Sequence, residues 1–187
     1  NPVNNVQLFG DSLIVATGNT GYPSFITSFN SSTNNGINWD SYVVPGYDNQ
    51  IYTIQILNTN KIYFTTHRFL MLTDNLGQAW NKIPVGPKFN LEGIVHPDNS
   101  EPIAIGWDQD SLNLVHTSAI IKSPPLWRAS STFINKKFKC ISLKNNSDVF
   151  IGGFDYSTNE NIIYKCDIYG ENLELKYYSS NQIINSI

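Results

Sequence analysis

Two stretches of this chain, "SSTNNGINW" at 31–39 and "LTDNLGQAW" at 72–80, set a small hydroxyl residue, an Asn, a Gly and a Trp at the same internal spacing. Their tryptophans, Trp39 and Trp80, lie 41 residues apart; another 47 residues reach Trp127, and a further 46 reach Leu173. A period of that size marks a repeat architecture, in which each unit is one supersecondary element that cannot bury its apolar face alone.

The intervals carry one plan four times. Each opens with a short apolar strand: "VQLF" at 6–9, "IQIL" at 54–57, "GIVH" at 93–96 and "CISL" at 140–143. A polar turn follows, then a second strand: "LIVATG" at 13–18, "IYFTT" at 62–66, "IAIGW" at 103–107 and "FIGGF" at 150–154. These second strands are apolar nearly throughout, as strands covered on both faces are. The third strand reads "SFITSF" at 24–29, "FLMLT" at 69–73, "LNLVHT" at 112–117 and "NIIYKC" at 161–166. The fourth begins at the anchor: "WDSYVV", "WNKIPV", "WRASS" and, in the last unit, "LELKYY". Four short strands per unit predict an all-β chain, a β-propeller of four-stranded antiparallel blades. The blades are expected at about 3–48, 49–89, 90–133 and 134–180, with 181–187 ("NQIINSI") repeating the opening strand "NQIYTIQI" of the second blade. On that reading the four blades belong to a larger propeller, completed by more of the same chain or by another subunit.

The opening stretches fall in the turn between strands three and four: Ser32, Asn34, Gly36, Trp39, and again Thr73, Asn75, Gly77, Trp80. An Asx side chain bonds backbone two residues on, Gly supplies a positive φ, and Trp buries a large ring. The pattern resembles the Asp-box, or BNR repeat, of sialidases, sortilin-type receptors, photosystem II assembly factors and xyloglucan-degrading enzymes. The resemblance implies a structural role for the box, away from the functional face. Unit three ("IIKSPPLW") keeps the Trp and loses the Gly, and unit four ("CDIYGENL") keeps Gly170 and loses the Trp.

Charged residues are only 14% of the chain and the net charge is −3, which leaves no basic footprint for nucleic acid or anionic lipid. No apolar run is long enough for membrane insertion as a helix. The low charge and the Asn, Ser, Thr and Tyr content suit an extracellular, cell-surface or virion-associated protein. Chance accounts for the sequons at Asn30 and Asn145 in so Asn-rich a chain. Cys140 and Cys166 fall on the first and third strands of one blade, too far apart for a disulfide, so two free and mostly buried thiols are expected.

In an up-and-down blade the loops after strands two and four share one face. Asn19, His67, Asp108 and Asp155 are equivalent there, beside Tyr22, Arg68, Trp107, Phe154 and Tyr156. Aromatic rings next to acids suit a protein or glycan ligand, and the leading expectation is a non-catalytic binding or scaffolding module. The alternative is a glycoside hydrolase of Asp-box type using Asp108 and Asp155 as paired carboxylates; the simpler reading makes both solvated turn acids. A sialidase would need an arginine triad, and the chain holds only Arg68 and Arg128. No cofactor or metal is expected: "DQDSLN" at 108–113 lacks the Gly and distal Glu of a calcium loop, and His67, His96 and His116 lack ligand spacing. The basic run "INKKFK" at 134–139 reads as a solvated loop.

Overall fold

The computed structural model describes residues 3–11, 13–19, 27–44, 51–66, 69–85, 90–97, 101–110, 115–122 and 128–180. They form sixteen strands, grouped as four four-stranded antiparallel sheets. The chain divides into two compact units, Asn1–Ile83 and Pro84–Ile187. The first holds the sheet β1 (Val3–Phe9), β2 (Leu13–Asn19), β3 (Thr27–Ser32), β4 (Asp40–Val43), and the sheet β5 (Thr53–Ile56), β6 (Ile62–Thr65), β7 (Phe69–Thr73), β8 (Asn81–Pro84), whose last residue passes the division. The second holds β9 (Asn90–Val95), β10 (Ile103–Asp110), β11 (Val115–Lys122), β12 (Arg128–Ile134), and β13 (Lys136–Lys144), β14 (Asp148–Asp155), β15 (Glu160–Asp167), β16 (Glu174–Ser179). Within each sheet the strands follow chain order, the meander of a propeller blade.

In the first unit the two sheets bury a common core. Leu13, Val15, Phe29 and Val44 from one sheet meet Ile54, Ile56, Ile62, Phe64 and Met71 from the other. Trp80 packs edge-on against Phe29 at 5.0 Å and Phe64 at 4.7 Å between ring centroids. Polar side chains of β1 tie the sheets at the edge: Asn5 donates to the Ile51 carbonyl at 3.2 Å, and Gln7 accepts from the Ile56 amide at 3.2 Å. The second unit repeats this with Val95, Ile103, Ile105 and Ile120 against Phe138, Val149, Ile151, Ile162 and Cys166, and Leu173 lies at the margin.

The two repeated turns carry the same hydrogen bonds. Thr73 Oγ1 donates to Asn75 Oδ1 and accepts from the amides of Asn75 and Gly77, while Asn75 Oδ1 also accepts from the Ala79 amide at 2.8 Å. Ser32, Asn34, Gly36 and Asn38 make the equivalent set. One hydroxyl thus gathers backbone donors that the reversing chain would leave unpaired. The left-handed conformation falls on Asn35 and Gly36 in the first turn, and on Leu76 (φ 54°) and Gly77 (φ 93°) in the second. At Gly77 a Cβ would also stand 2.7 Å from Phe29 Cδ1, so the turn and the ring seat demand glycine together. In the fourth sheet Asp167 takes over: its Oδ1 accepts from the Tyr169 and Glu171 amides, its Oδ2 from Asn172 Nδ2, and Gly170 adopts φ 67°.

Four sequence expectations are corrected here. The third strand of the third sheet, expected at 112–117, is β11 at Val115–Lys122, and Ala119, Ile120 and Ile121 are fully buried at its centre. Anchoring on Trp127, which lies outside the described residues, puts "II" in the turn; the strand instead runs through Ile120 and Ile121 to Lys122. The "INKKFK" run is no solvated loop, because it turns at Asn135 and enters β13, where Phe138 is fully buried. Trp39 is not a buried ring but is 44% exposed, its Nε1 donating to the Gly36 carbonyl at 3.0 Å. Asp155 is not a solvated turn acid, as described below. Both cysteines are free: Cys166 is buried and Cys140 half-buried. Burial and the neighbouring Asp167 push the Cys166 thiol up to about 11 against a pull from Lys122, and burial raises Cys140 against a hydrogen bond from the Gly152 backbone.

Thr73→Val keeps the shape of the side chain but strips the Asn75 and Gly77 amides of their acceptor, and is expected to cost about 1–3 kcal/mol. Gly77→Ala adds a left-handed Cβ and a clash with Phe29, and is expected to cost about 3 kcal/mol. Urea unfolding of both variants against the parent chain checks the pair.

Candidate functional site

The sequence places its candidate residues on one binding face. Tyr22, His67 and Arg68 lie outside the described residues, and Asn19 is placed by its backbone at the end of β2. Trp107, Asp108, Asp155 and Tyr156 all belong to the second unit. Asp155 ends its strand, as Asn19 does, whereas Asp108 lies two residues short of the end of β10 and pairs with Thr117.

The lysines of β13 organise this end of the unit. Lys136 pairs across the ladder with Asp155, and its ammonium forms an ion pair with Asp155 Oδ2. Asp155 Oδ1 accepts from both the amide and the hydroxyl of Ser157, closing the turn after β14. Burial alone would raise this carboxyl; the Lys136 and Ser157 hydrogen bonds and the Lys136 charge outweigh it and hold the group below the usual carboxylate range. Lys137, next along, places its ammonium 3.5 Å from the centroid of the Trp107 ring, a close cation–π contact. Trp107 Nε1 donates to Glu92 Oε1, and the Lys139 ammonium lies 3.9 Å from the same carboxylate oxygen. Desolvation lowers the Lys137 amine, the nearby Lys139 lowers it further, and Glu92 opposes both. Past Asp155, the exposed Tyr156 ring packs edge-on against Phe154 at 5.0 Å.

Two buried features bring these groups together. Ser118, opposite Trp107 on β11, donates its hydroxyl to the Lys136 carbonyl and accepts from the Phe138 amide, both at 2.8 Å. That clasp holds β13 where its register shifts between Phe138 and Cys140. Gly153 makes room for it, since a Cβ there would lie 2.4 Å from the Lys137 carbonyl oxygen. Glu92, Ser118, Lys136, Lys137, Lys139 and Ser157 escaped the sequence reading. The one signal that could have found them was the basic run itself, whose Lys-Lys-Phe-Lys order alternates about a buried Phe138 as a strand does.

Among the described residues no group of His, Cys, Asp and Glu is arranged to hold a metal ion, and no helix is long and apolar enough to cross a membrane. The stretch 108–113, which lacks the Gly and distal Glu of a calcium loop, lies partly outside those residues. What the site offers is two half-open aromatic surfaces, Trp107 and Tyr156, set among charges that already answer one another.

Because Asp155 is held below its ordinary value when folded, its pairing stabilises the fold above the unfolded carboxyl value of about 3.9 and is lost as pH falls through the lower folded value. Asp155→Asn is therefore expected to lower stability at neutral pH and to flatten the acid limb of a stability-versus-pH curve below about pH 4. Urea midpoints across that range check it.

No family model matches this chain, and no curated protein matches it in sequence. Solved structures do. A Hadza microbial sialidase superposes with a TM-score of 0.62 at 12% identity, over 88% of this chain and 44% of its own. A GH74 xyloglucanase from Xanthomonas campestris gives 0.54 at 10% identity, over 89% of this chain and 36% of its own. A Synechocystis apocarotenoid oxygenase gives 0.53 at 13% identity, over 89% and 46%. The chain thus spans less than half the length of these structures. At such identities what is shared is the fold, and with four four-stranded antiparallel sheets and no helix among its described residues, that fold is the β-propeller.

Proposed function

We propose that this chain is a non-catalytic binding module that presents Trp107 and Tyr156 to a protein or glycan partner, with Asp108 and Asp155 in support. The observation that carries this reading is the state of Asp155. Both of its oxygens are engaged, by Lys136 and by Ser157, and its carboxyl is held low. A general acid for glycoside cleavage needs the opposite, a carboxyl raised toward neutrality, and a nucleophile needs a free oxygen. Aromatic faces beside satisfied charges suit recognition, where ring area binds at little entropic cost. The Ser32 and Thr73 turns fit the Asp-box as structural turns on this reading, and an extracellular or surface setting accords with the low charge. Lys137 contributes by covering one part of the indole and aligning it with Glu92.

Trp107→Ala and Tyr156→Ala are each expected to weaken binding by about tenfold or more in a glycan-array and peptide-library screen followed by titration of the hits. Xyloglucan and sialosides serve as substrate probes, and the chain is expected to release no product from either. Turnover that disappears in Asp108→Asn or Asp155→Asn would replace this reading with the hydrolase one.

A further inference from the structure

The two hydroxyl-centred turns differ in the residue before glycine, and the difference is chemical. Where the second turn has Leu76-Gly77, the first has Asn35-Gly36, the single Asn-Gly pair in the chain. Asn35 is exposed to water and, like Leu76, lies in the left-handed region, at φ 58°. A glycine after an asparagine lacks the Cβ that would shield its peptide nitrogen from the asparagine carboxamide. That nitrogen can attack Asn35 Cγ. The N–Cγ bond forms, the Cγ–Nδ2 bond breaks, and ammonia leaves with the amide proton. Water then opens the cyclic succinimide at either carbonyl. One opening leaves an aspartate at position 35; the other leaves an isoaspartate, whose backbone is a methylene longer.

In the folded turn that nitrogen is occupied. The Gly36 amide donates to Ser32 Oγ at 2.8 Å, the shortest of the bonds this hydroxyl makes. Ser32 is only 2% exposed, so little water competes for its oxygen. The hydroxyl is itself fixed by donating to Asn34 Oδ1 at 3.0 Å, and that oxygen also accepts from the Asn38 amide at 2.9 Å. On its other side the Gly36 carbonyl accepts the Trp39 indole N–H at 3.0 Å. A nitrogen giving its proton to Ser32 cannot at the same time close on Asn35 Cγ, so the turn must open first.

We propose that Asn35 is a self-modification site of this chain, guarded by the Ser32 hydroxyl, so that deamidation proceeds only from the opened turn. Such local opening is reversible before the reaction and permanent after it. The longer isoaspartyl backbone cannot return the Gly36 amide to Ser32 Oγ while Asn34 and Asn38 keep their bond. The second turn has the same clasp around Thr73 but no carboxamide at Leu76, and so cannot be altered in this way. In the turn at Asn145-Asn146 the following residue is Ser147. Its side chain hinders the same attack, and its amide is bonded to the Lys144 carbonyl at 3.2 Å.

The test is incubation of the 187-residue chain at mildly alkaline pH, followed by peptide mapping with mass spectrometry and isoaspartate detection. Conversion at Asn35 is expected to be slow in the folded parent and the fastest of all its asparagines once the chain is unfolded in guanidinium chloride. Ser32→Ala is expected to raise the folded rate about fivefold to thirtyfold, since losing the acceptor populates the open turn by that factor. Ser32→Thr, which supplies the hydroxyl that Thr73 supplies in the second turn, is expected to keep the parent rate. If Ser32→Ala does not fold, Asn34→Ala stands in for it with the same expectation, because it frees the Ser32 hydroxyl. Thr73→Val weakens the other turn and is expected to leave the Asn35 rate unchanged. An equal rise in Thr73→Val would assign the reaction to unfolding of the whole unit and overturn the proposal. So would a folded parent that deamidates at Asn35 as fast as the unfolded chain, or a Ser32→Ala rate equal to the parent rate.

Discussion

A four-stranded blade has two faces and can bury neither by itself, so everything in this chain depends on how one sheet meets the next. In the first unit that meeting centres on Trp80, edge-on to Phe29 and Phe64. Each buried ring contributes about 1.5–3 kcal/mol of apolar transfer, and the edge-to-face geometry adds about 0.5–1.5 kcal/mol per pair. The indole can enter only because the turn before it reverses in four residues. That reversal depends on the Thr73 hydroxyl, the Asn75 carboxamide and the positive φ of Gly77. The hydrogen-bonded turn and the aromatic wedge are therefore one device, and Gly77 belongs to both because any Cβ there would strike Phe29.

The second unit joins its sheets with the same economy but different groups. A buried serine, Ser118, clasps the β13 backbone at its register shift, and Leu173 replaces the indole at the margin of the core. The clasp delivers three lysines to one end of the unit, where each finds an answering group: Asp155 for Lys136, the Trp107 ring for Lys137 and Glu92 for Lys139. Charges so matched hold rings in place and leave the carboxylates little freedom for chemistry.

Much of the strand plan was legible because a blade imposes a short, repeated grammar. "FLMLT" at 69–73 is β7 to the residue, and the second strands at 13–18 and 62–66 differ from β2 and β6 by one position. The reading failed where the grammar is degenerate. Ala119-Ile120-Ile121 is buried on both faces, so alternation gave no register, and a Trp127 anchor without its glycine set the turn several residues early. The lysines of β13 looked like solvated charge because nothing near them in sequence is acidic; their partners Glu92 and Asp155 lie 47 and 19 residues from Lys139 and Lys136.

From sequence alone follow the all-β class, the four-fold strand order and the two hydroxyl-centred turns, since each depends on contacts within a few residues or on the repeat itself. Tertiary structure alone decided which tryptophan is a wedge and which an exposed ring, and that Asp155 is paired with Lys136. Trp39 and Trp80 close the same turn pattern, and Asp108 and Asp155 each follow the apolar run of a second strand. Their fates differ because the seat of a ring is decided by the neighbouring sheet and the Lys136–Asp155 pair by the strand beside β14, neither of which the local sequence contains.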